Sequence, residues 1–421
     1  MHSEFKIGFE DEEFLDDSGN SGDIAYFIDE GAMVSLDLMY QCLRKVDVTS
    51  SRVFMFGDFG QLSPIGKGLP FKNLLRFMPC VFLDVPKRAI EGSNITKASN
   101  IVNEHSEPSN WVDLPSEGDF RLIACSPDEI TSTVTKLCKH YLGIQPSEDF
   151  PVLEVTPDDI QVVTPISKAT YDWGATKLNK ALQPLFNPNC NFRNTFVYQL
   201  SEKVPGTNFS IGDRVIHTEK NKYSMQWYET IGVGMFRKIY GNGICNGEVG
   251  KIVGFYRTDD VTIVEEAEGR PYDFSYPESL RDDTTYTGED KYFVAVSYYD
   301  YLSERDIIIL YRASINGYIQ SNQGIVFNGD DLSMLNLFYA GTTHKLQGSE
   351  ADLIIFVLGD INFRGFITRE MLYTMITRGK KQVIGVGSVS SWRGSTLSNA
   401  RRDLSARSTL TVGEVIIDAT E

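Results

Sequence analysis

The sequence predicts an α/β protein that carries an inserted, smaller all-β module. Two observations predict it. First, the apolar runs Ile24–Ile28 (IAYFI) and Val53–Phe56 (VFMF) flank a helix-like stretch, Met33–Arg44, and each run ends in polar groups. Near-continuous apolar runs are what strands buried on both faces require. Polar groups at their carboxyl ends lie where an open parallel sheet binds ligands. Second, the texture changes between about 205 and 335. Turn dipeptides become dense (Gly212-Asp213, Asn242-Gly243, Asn246-Gly247), with short Val/Ile/Tyr/Phe runs between them. That is the pattern of a small antiparallel β structure. After Leu335 the α/β pattern returns.

Taken in order, residues 1 to 23 are acidic and rich in Ser, Gly and Asp, and read as a loop or tail. Residues 24–90 alternate strand, helix, strand and helix, and finish on a strand at Cys80–Leu83. Residues 91–150 read as a mostly helical connection with a strand near Phe120–Ala124. A strand at Ile160–Val163 ends at Thr164-Pro165, and a helix follows over Asp172–Leu182. Within 206–335, the Gly212–Ile216 and Asn246–Val253 segments read as two strands of a compact barrel. The acidic and aromatic stretch Glu265–Tyr301 reads as loop decoration. Beyond it, Phe338–Ala340 leads into a polar turn and a short helix. A strand (Leu353–Leu358), a helix (Arg369–Thr377) and a last strand (Gln382–Val386) complete the pattern. Segments 151–205 and 336–421 would together form one α/β domain, interrupted by the β module.

Composition narrows the function classes. With 421 residues, 42% hydrophobic and 12% aromatic, the chain can bury the cores of two or three domains. A formal net charge of −17 argues against a protein that coats polyanions generally. It leaves room for a narrow nucleic-acid channel, because the local field governs binding there. The six cysteines form no Cys-x-x-Cys pair, so they read as reduced, buried thiols and not as a zinc or redox motif. The longest apolar runs are strand length, too short to span a bilayer as a helix, so no membrane partner is expected.

Four short blocks carry chemistry. Asp29-Glu30 closes the first strand. One carboxylate there can hold Mg²⁺ and its neighbour can polarise a water, although an isolated Asp-Glu pair more often marks a solvated turn. Gly57-Asp58-Phe59-Gly60-Gln61-Leu62-Ser63-Pro64 closes the second strand. Gln61 could hydrogen-bond a terminal phosphate, while the plainer alternative is a tight turn. Ala340–Glu350 packs two hydroxyls, an imidazole, an ammonium, an amide and a carboxylate between two strands. Such density suits a phosphate or sugar contact. Finally, Leu372–Lys381 sets Arg378 at a helix end. It is either a cation answering the helix dipole or an arginine finger for a γ-phosphate.

In this order, the blocks resemble superfamily 1 helicases of the RecD-like and Dda-like branch (superfamily 1B). The matching residues are IDEGAM (28–33), GDFGQLSPI (57–65), LDVPKR (83–88), VVTPISKATYDWGATKLN (162–179), NGEVGKIV (246–253), TTHKLQGSEAD (342–352) and LYTMITRGKKQV (372–383). The resemblance implies RecA-like motor domains with an inserted SH3-like β-barrel. It also implies ATP and Mg²⁺ as cofactors, and movement 5′ to 3′ on single-stranded DNA. On that basis Asp29 binds Mg²⁺, Glu30 activates water, Gln61 senses the γ-phosphate, and Arg88 and Arg378 act as fingers. Gly57 and Asp58, with Gln347, Gly348 and Glu350, would belong to the nucleotide site. Pro64, Thr164, Thr343 and His344 would face the single strand.

One departure bears on activity. The family pattern needs a phosphate-binding loop ending Gly-Lys-Ser/Thr. The Gly-Lys pairs here, Gly66-Lys67, Gly250-Lys251 and Gly379-Lys380, are not followed by Ser or Thr. The expectation is therefore the C-terminal portion of a helicase, inactive alone, with the Walker A segment supplied by a separate chain or lost. With the reduced cysteines, this gives a cytoplasmic expectation, in a bacterium or a phage-infected host. The competing class is a non-catalytic DNA-binding or assembly subunit derived from a helicase. The presence of Glu30, Gln61, Arg88 and Arg378 together argues against it.

Overall fold

The computed structural model describes residues 24–46, 51–83, 92–104, 114, 116–188, 190, 195–198, 207–218, 227–239, 244, 246–257, 260–264, 291–300, 304–315, 325–328, 331–359 and 367–388. Arg88 and the acidic stretch near residues 10–17 lie outside them. The chain divides into two compact units, residues 1–177 with 341–421 and residues 178–340.

The first unit begins with β1 (Ile24–Ile28), α1 (Leu36–Leu43) and β2 (Ser51–Met55). The two strands pair in parallel, Ile24 with Ser51 through Ile28 with Met55. Ile28, Val34 and Met39 form a small core under one face, joined by Val53, Met55 and Leu74. The helix starts later than its apolar pattern suggests. Gly31–Met33 forms a 3₁₀ turn first, and Ser35 then caps the helix by accepting from the Leu38 amide at 3.3 Å. Helices α2 (Pro70–Leu74) and α3 (Asn94–Glu104) follow. Cys80–Leu83 is not a strand. It pairs with nothing among the described residues, and Val81 and Leu83 are 87% and 92% exposed. An apolar run becomes a strand only where a neighbour offers a ladder.

The other sheet of this unit contains β3 (Phe120–Ala124), β4 (Ile160–Thr164), β16 (Ala340–Thr342), β17 (Ala351–Leu358) and β18 (Gly379–Gly387), with α4 (Ile130–Tyr141) and α6 (Arg369–Ile376). The strand order is β16-β4-β17-β18-β3, and the β4, β17, β18 and β3 pairings are parallel. Strand β3 comes from the stretch read as a helical connection and lies at the sheet edge. Leu353–Leu358, with Val383, Ile384 and Val386, is almost wholly buried, as central parallel strands are. Residues 343–348 form turns and not the expected short helix. Gly348 takes a left-handed φ of 82°, which closes the turn and cannot continue a helix.

The second unit opens with α5 (Ala175–Phe186), which begins three residues after the expected start. Its strands are β5 (Thr195–Tyr198), β6 (Thr207–Ser210), β7 (Arg214–His217), β8 (Trp227–Gly232), β9 (Met235–Ile239), β10 (Val249–Arg257), β11 (Thr262–Val264), β12 (Lys291–Asp300), β13 (Arg305–Ile315), β14 (Ile325–Asn328) and β15 (Leu335–Leu337). They join in one sheet whose main path is β11-β9-β8-β13-β12-β10-β7-β15. The two expected barrel strands are β7 and β10, paired antiparallel. Part of the stretch read as decoration is instead β12, central to the sheet and paired along its whole length with β13. Its Phe293, Val294, Ala295, Val296 and Tyr298 are all buried. The aromatic and acidic residues beside this short buried run mask it in the sequence. Inside, the Tyr298 and Tyr311 hydroxyls lie 2.7 Å apart, and His217 Nδ1 is 2.9 Å from Tyr311 Oη. Burial pushes the His217 imidazole down to about 4, so it is neutral near pH 7.

Candidate nucleotide site

The site grows from the ends of β1 and β2. The ladder continues past the strands, with Phe56 N donating to Ile28 O at 2.8 Å and Gly31 N to Phe56 O at 2.7 Å. Both polar turns therefore leave the sheet side by side. Asp29 is exposed, and its Oδ1 accepts from the Glu30 amide at 2.8 Å. Glu30 takes a left-handed backbone conformation, φ 51° and ψ 36°. A β-carbon placed on Gly348 would lie 3.9 Å from Glu30 Oε1. The structure thus brings the Glu30 carboxylate up to the Gln347-Gly348-Ser349-Glu350 turn.

Gln61 is buried, and its Oε1 accepts from Arg378 Nη2 at 2.9 Å. Arg378 is 2% exposed and also donates through Nη1 to Ser349 O at 3.2 Å. A cation that merely answered a helix dipole would be solvated. This one is buried and donates to an amide that follows the other sheet. Its backbone carbonyl accepts from Ala351 N at 3.1 Å, pinning the start of β17 beside it. Glu350 pairs with Lys380, and Asp352 with Lys381 at 2.7 Å.

The loop carrying Gln61 is held at several points. Asp58 Oδ1 accepts from Gly60 N at 2.7 Å, and Gln61 N donates to Asp58 O at 3.1 Å. Tyr373 Oη donates to Asp58 Oδ2 at 2.9 Å, and Leu62 N donates to Thr374 Oγ1 at 3.1 Å. A β-carbon on Gly60 would lie 2.9 Å from Asn103 Oδ1, Asp58 Oδ1 and Tyr373 Cε1, so a larger residue there must push these side chains aside. Gly57 is exposed at the loop's entry, and Pro64 is buried at its exit.

The residues expected to face DNA are placed differently from one another. Thr164 and Thr343 are almost fully buried. Thr164 Oγ1 donates to Trp173 O at 3.0 Å, and Thr343 N donates to Thr164 O at 3.1 Å. These groups join the end of β4 to the turn after β16. His344 is half-buried, and burial pushes its imidazole below the ordinary value, which favours the neutral form.

Tyr373, Thr374 and Asn103 were not singled out from sequence, although the first two lie inside the 372–383 block. The available signal was their spacing. Thr374 stands four residues before Arg378, one helical turn away.

The chemistry on offer is a carboxylate pair, an amide oxygen and a guanidinium around one turn. Both side-chain amide atoms of Gln347 are also buried and meet no hydrogen-bond partner among the described residues. A buried unpaired amide is costly unless a ligand completes it. No cluster of three or more His, Cys, Asp or Glu side chains suited to a metal occurs among the described residues. A Mg²⁺ bound chiefly by phosphate oxygens and water needs only one or two carboxylates, and Asp29 with Glu30 fits that requirement.

Parts of the chain are similar to known proteins. Residues 337–386 match the UvrD-like helicase C-terminal domain, and residues 14–118 match an AAA domain. The ATP-dependent RecD2 DNA helicase of Deinococcus radiodurans is 24% identical over 369 residues, 87% of this chain. The chain spans 36% of the length of that RecD2 helicase. The RecBCD enzyme subunit RecD of Mycobacterium tuberculosis is 38% identical over 71 residues, 17% of this chain and 12% of its own length. A solved Pif1 helicase from Bacteroides, in complex with ADP-AlF3 and ssDNA, is similar at 16% identity with a TM-score of 0.46, covering 96% of this chain and 82% of that one. The strands β4, β17, β18 and β3 of this chain pair in parallel, as in α/β folds. Asp29, Glu30 and Gln61 fall in the AAA match, and Gln347 and Arg378 in the UvrD-like match. No helix among the described residues is long and apolar enough to cross a membrane.

Proposed function

We propose that these residues form the C-terminal motor portion of an ATP-dependent DNA helicase that translocates 5′ to 3′ on single-stranded DNA. The observation that carries the reading is the buried Gln61–Arg378 contact, made beside Glu30 and Gly348 by segments far apart in sequence. In this reading Asp29 would hold Mg²⁺, and Glu30 would accept a proton from the attacking water. Gln61 and Arg378 meet the terminal phosphate. Gln347, Gly348 and Glu350 line the nucleotide site, with Gly57 and Asp58 at its floor, and Arg88 is a second finger. Bound ATP supplies the phosphoryl group, and Mg²⁺ neutralises its charge. Pro64, Thr164, Thr343 and His344 lie along the path of the DNA, with Thr164 and Thr343 acting from beneath as supports. Residues 206–335 are an SH3-like insertion in the second motor domain, which comprises 151–205 and 336–421. The 421 residues contain no Gly-Lys-Ser/Thr run, so the β-phosphate cradle comes from another polypeptide segment.

Phosphate release with single-stranded DNA tests this directly. The 421-residue chain alone is expected to stay at background. Joined to, or mixed with, a polypeptide carrying a Gly-Lys-Ser/Thr loop, it is expected to gain turnover that Glu30→Gln lowers by about a hundredfold or more. Robust, Glu30-dependent turnover by the chain alone overturns the need for a second segment. Single-strand binding with no turnover in any combination favours the non-catalytic subunit. Unwinding of forks with opposite tails reads the direction.

A further inference from the structure

Helix α6 carries more of the site than Arg378. Two consecutive side chains one turn earlier reach the Gln61 loop. Tyr373 donates its hydroxyl to Asp58 Oδ2 at 2.9 Å, and Asp58 uses its other oxygen to hold Gly60 N at 2.7 Å. Thr374 Oγ1 donates to Glu370 O at 2.7 Å within the helix and accepts from Leu62 N at 3.1 Å. One hydroxyl therefore ties the helix backbone to the residue after Gln61, and it is fully buried. The loop residues on both sides of Gln61 are bound to the same helix whose end presents Arg378 to Gln61 Oε1.

We infer that Tyr373 and Thr374 are positioning residues that make Gln61 and Arg378 one preset pair, fixed before any phosphate arrives. Two groups held in place by one helix meet an oxyanion without reorganising, which is how preorganised sites gain their effect. The pair's catalytic meaning rests on the function proposed above, whereas its geometry does not. Neither Tyr373 nor Thr374 needs to touch phosphate. Each acts through the loop: Tyr373 by orienting Asp58, and Thr374 by fixing the Leu62 amide.

The test uses the full chain and three variants: Tyr373→Phe, Thr374→Val and Thr374→Ser. Amide hydrogen exchange is followed over 57–62, and the guanidinium NMR signals of Arg378 report whether its rotation is held by Gln61. Tyr373→Phe and Thr374→Val are expected to speed exchange in the loop by roughly tenfold and to average the Arg378 signals. Exchange in 353–357 should not change. Thr374→Ser keeps the hydroxyl and is expected to restore both readouts. Unchanged loop exchange in Tyr373→Phe and Thr374→Val overturns the inference. So does faster loop exchange with the Arg378 signals intact, because that outcome makes the two residues merely structural. Should Thr374→Val fail to fold, Tyr373→Phe and Thr374→Ser still decide the matter. ATP turnover is not read, so a failure of the helicase reading and a failure of this inference remain distinguishable.

Discussion

Glu30 stores strain where the site needs a carboxylate. With φ 51° and ψ 36° it lies in the left-handed region, which costs a residue with a β-carbon about 1–2 kcal/mol. Such strain concentrates at functional positions, where the surroundings over-determine the backbone. The neighbours that hold it are visible: Glu30 N on Asp29 Oδ1, and Gly31 N on Phe56 O. Glu30→Gly relieves the strain but adds unfolded-state entropy of up to about 1 kcal/mol. The variant is expected to be more stable than the parent by about 0.5–1 kcal/mol in urea unfolding, and to support no turnover. Glu30→Gln keeps the strain and should leave stability unchanged. A loss of stability in Glu30→Gly would show that the carboxylate itself holds the turn. Glu30 was legible in sequence as a strand-end acid. Its conformation was not, because φ at that residue is set by the β2 ladder and not by the Asp-Glu pair.

Among the elements of the second unit, α5, β6, β7 and the segment after β15 meet at one buried acid. Asp213 is fully buried and accepts from Gln183 Nε2 at 2.6 Å, Asn187 Nδ2 at 2.8 Å, Ser210 N at 2.7 Å and Tyr339 Oη at 2.8 Å. Burial raises its carboxyl above the ordinary value even though these donors pull it down. Asn179 on the same helix donates to Ala340 O and accepts from the Tyr339 and Ala340 amides. Removing the acid would strand several buried donors together, so Asp213→Ala is expected to cost about 3–5 kcal/mol. Denaturant unfolding followed by the tyrosines of β12 and β13 measures this, and a cost under about 1 kcal/mol would mean that water replaces the carboxylate. Sequence placed a turn at Gly212-Asp213 and read β7 and β10 as strands, and the structure pairs them. It could not reveal the hub, since Tyr339 lies 126 residues from Asp213. It also misread β12, where the buried run Phe293–Val296 lies beside acidic and aromatic residues typical of a loop.

For the molecule as a whole, the unusual surface is the outer face of β1 and β2. Phe27, Phe54 and Phe56 are 66%, 44% and 50% exposed, and Phe27 stacks on Phe54 with centroids 5.1 Å apart. Parallel sheets are ordinarily covered on both faces, and an exposed aromatic cluster binds whatever apolar surface it meets. The net charge of −17 opposes close approach of two copies. Phe54→Lys is expected to lower binding of an apolar dye and to shift sedimentation towards monomer at high salt, where that repulsion is screened. Equal dye binding by both proteins would mean that the face is already covered.

The sequence by itself determined the two kinds of architecture, the strand ends that bear Asp29, Glu30 and Gln61, and the short polar blocks that resemble those of superfamily 1B helicases. These are local matters, written in apolar runs and in polar residues beside them. Only the tertiary structure decided that Arg378 is buried on Gln61, that Thr164 and Thr343 point into the protein, and that Tyr373 and Thr374 hold the Gln61 loop. Those outcomes depend on which strand pairs with which and on where a helix ends against a loop more than three hundred residues away. Contacts at such separations are selected by the packing of the whole unit, and no short window of sequence contains both partners.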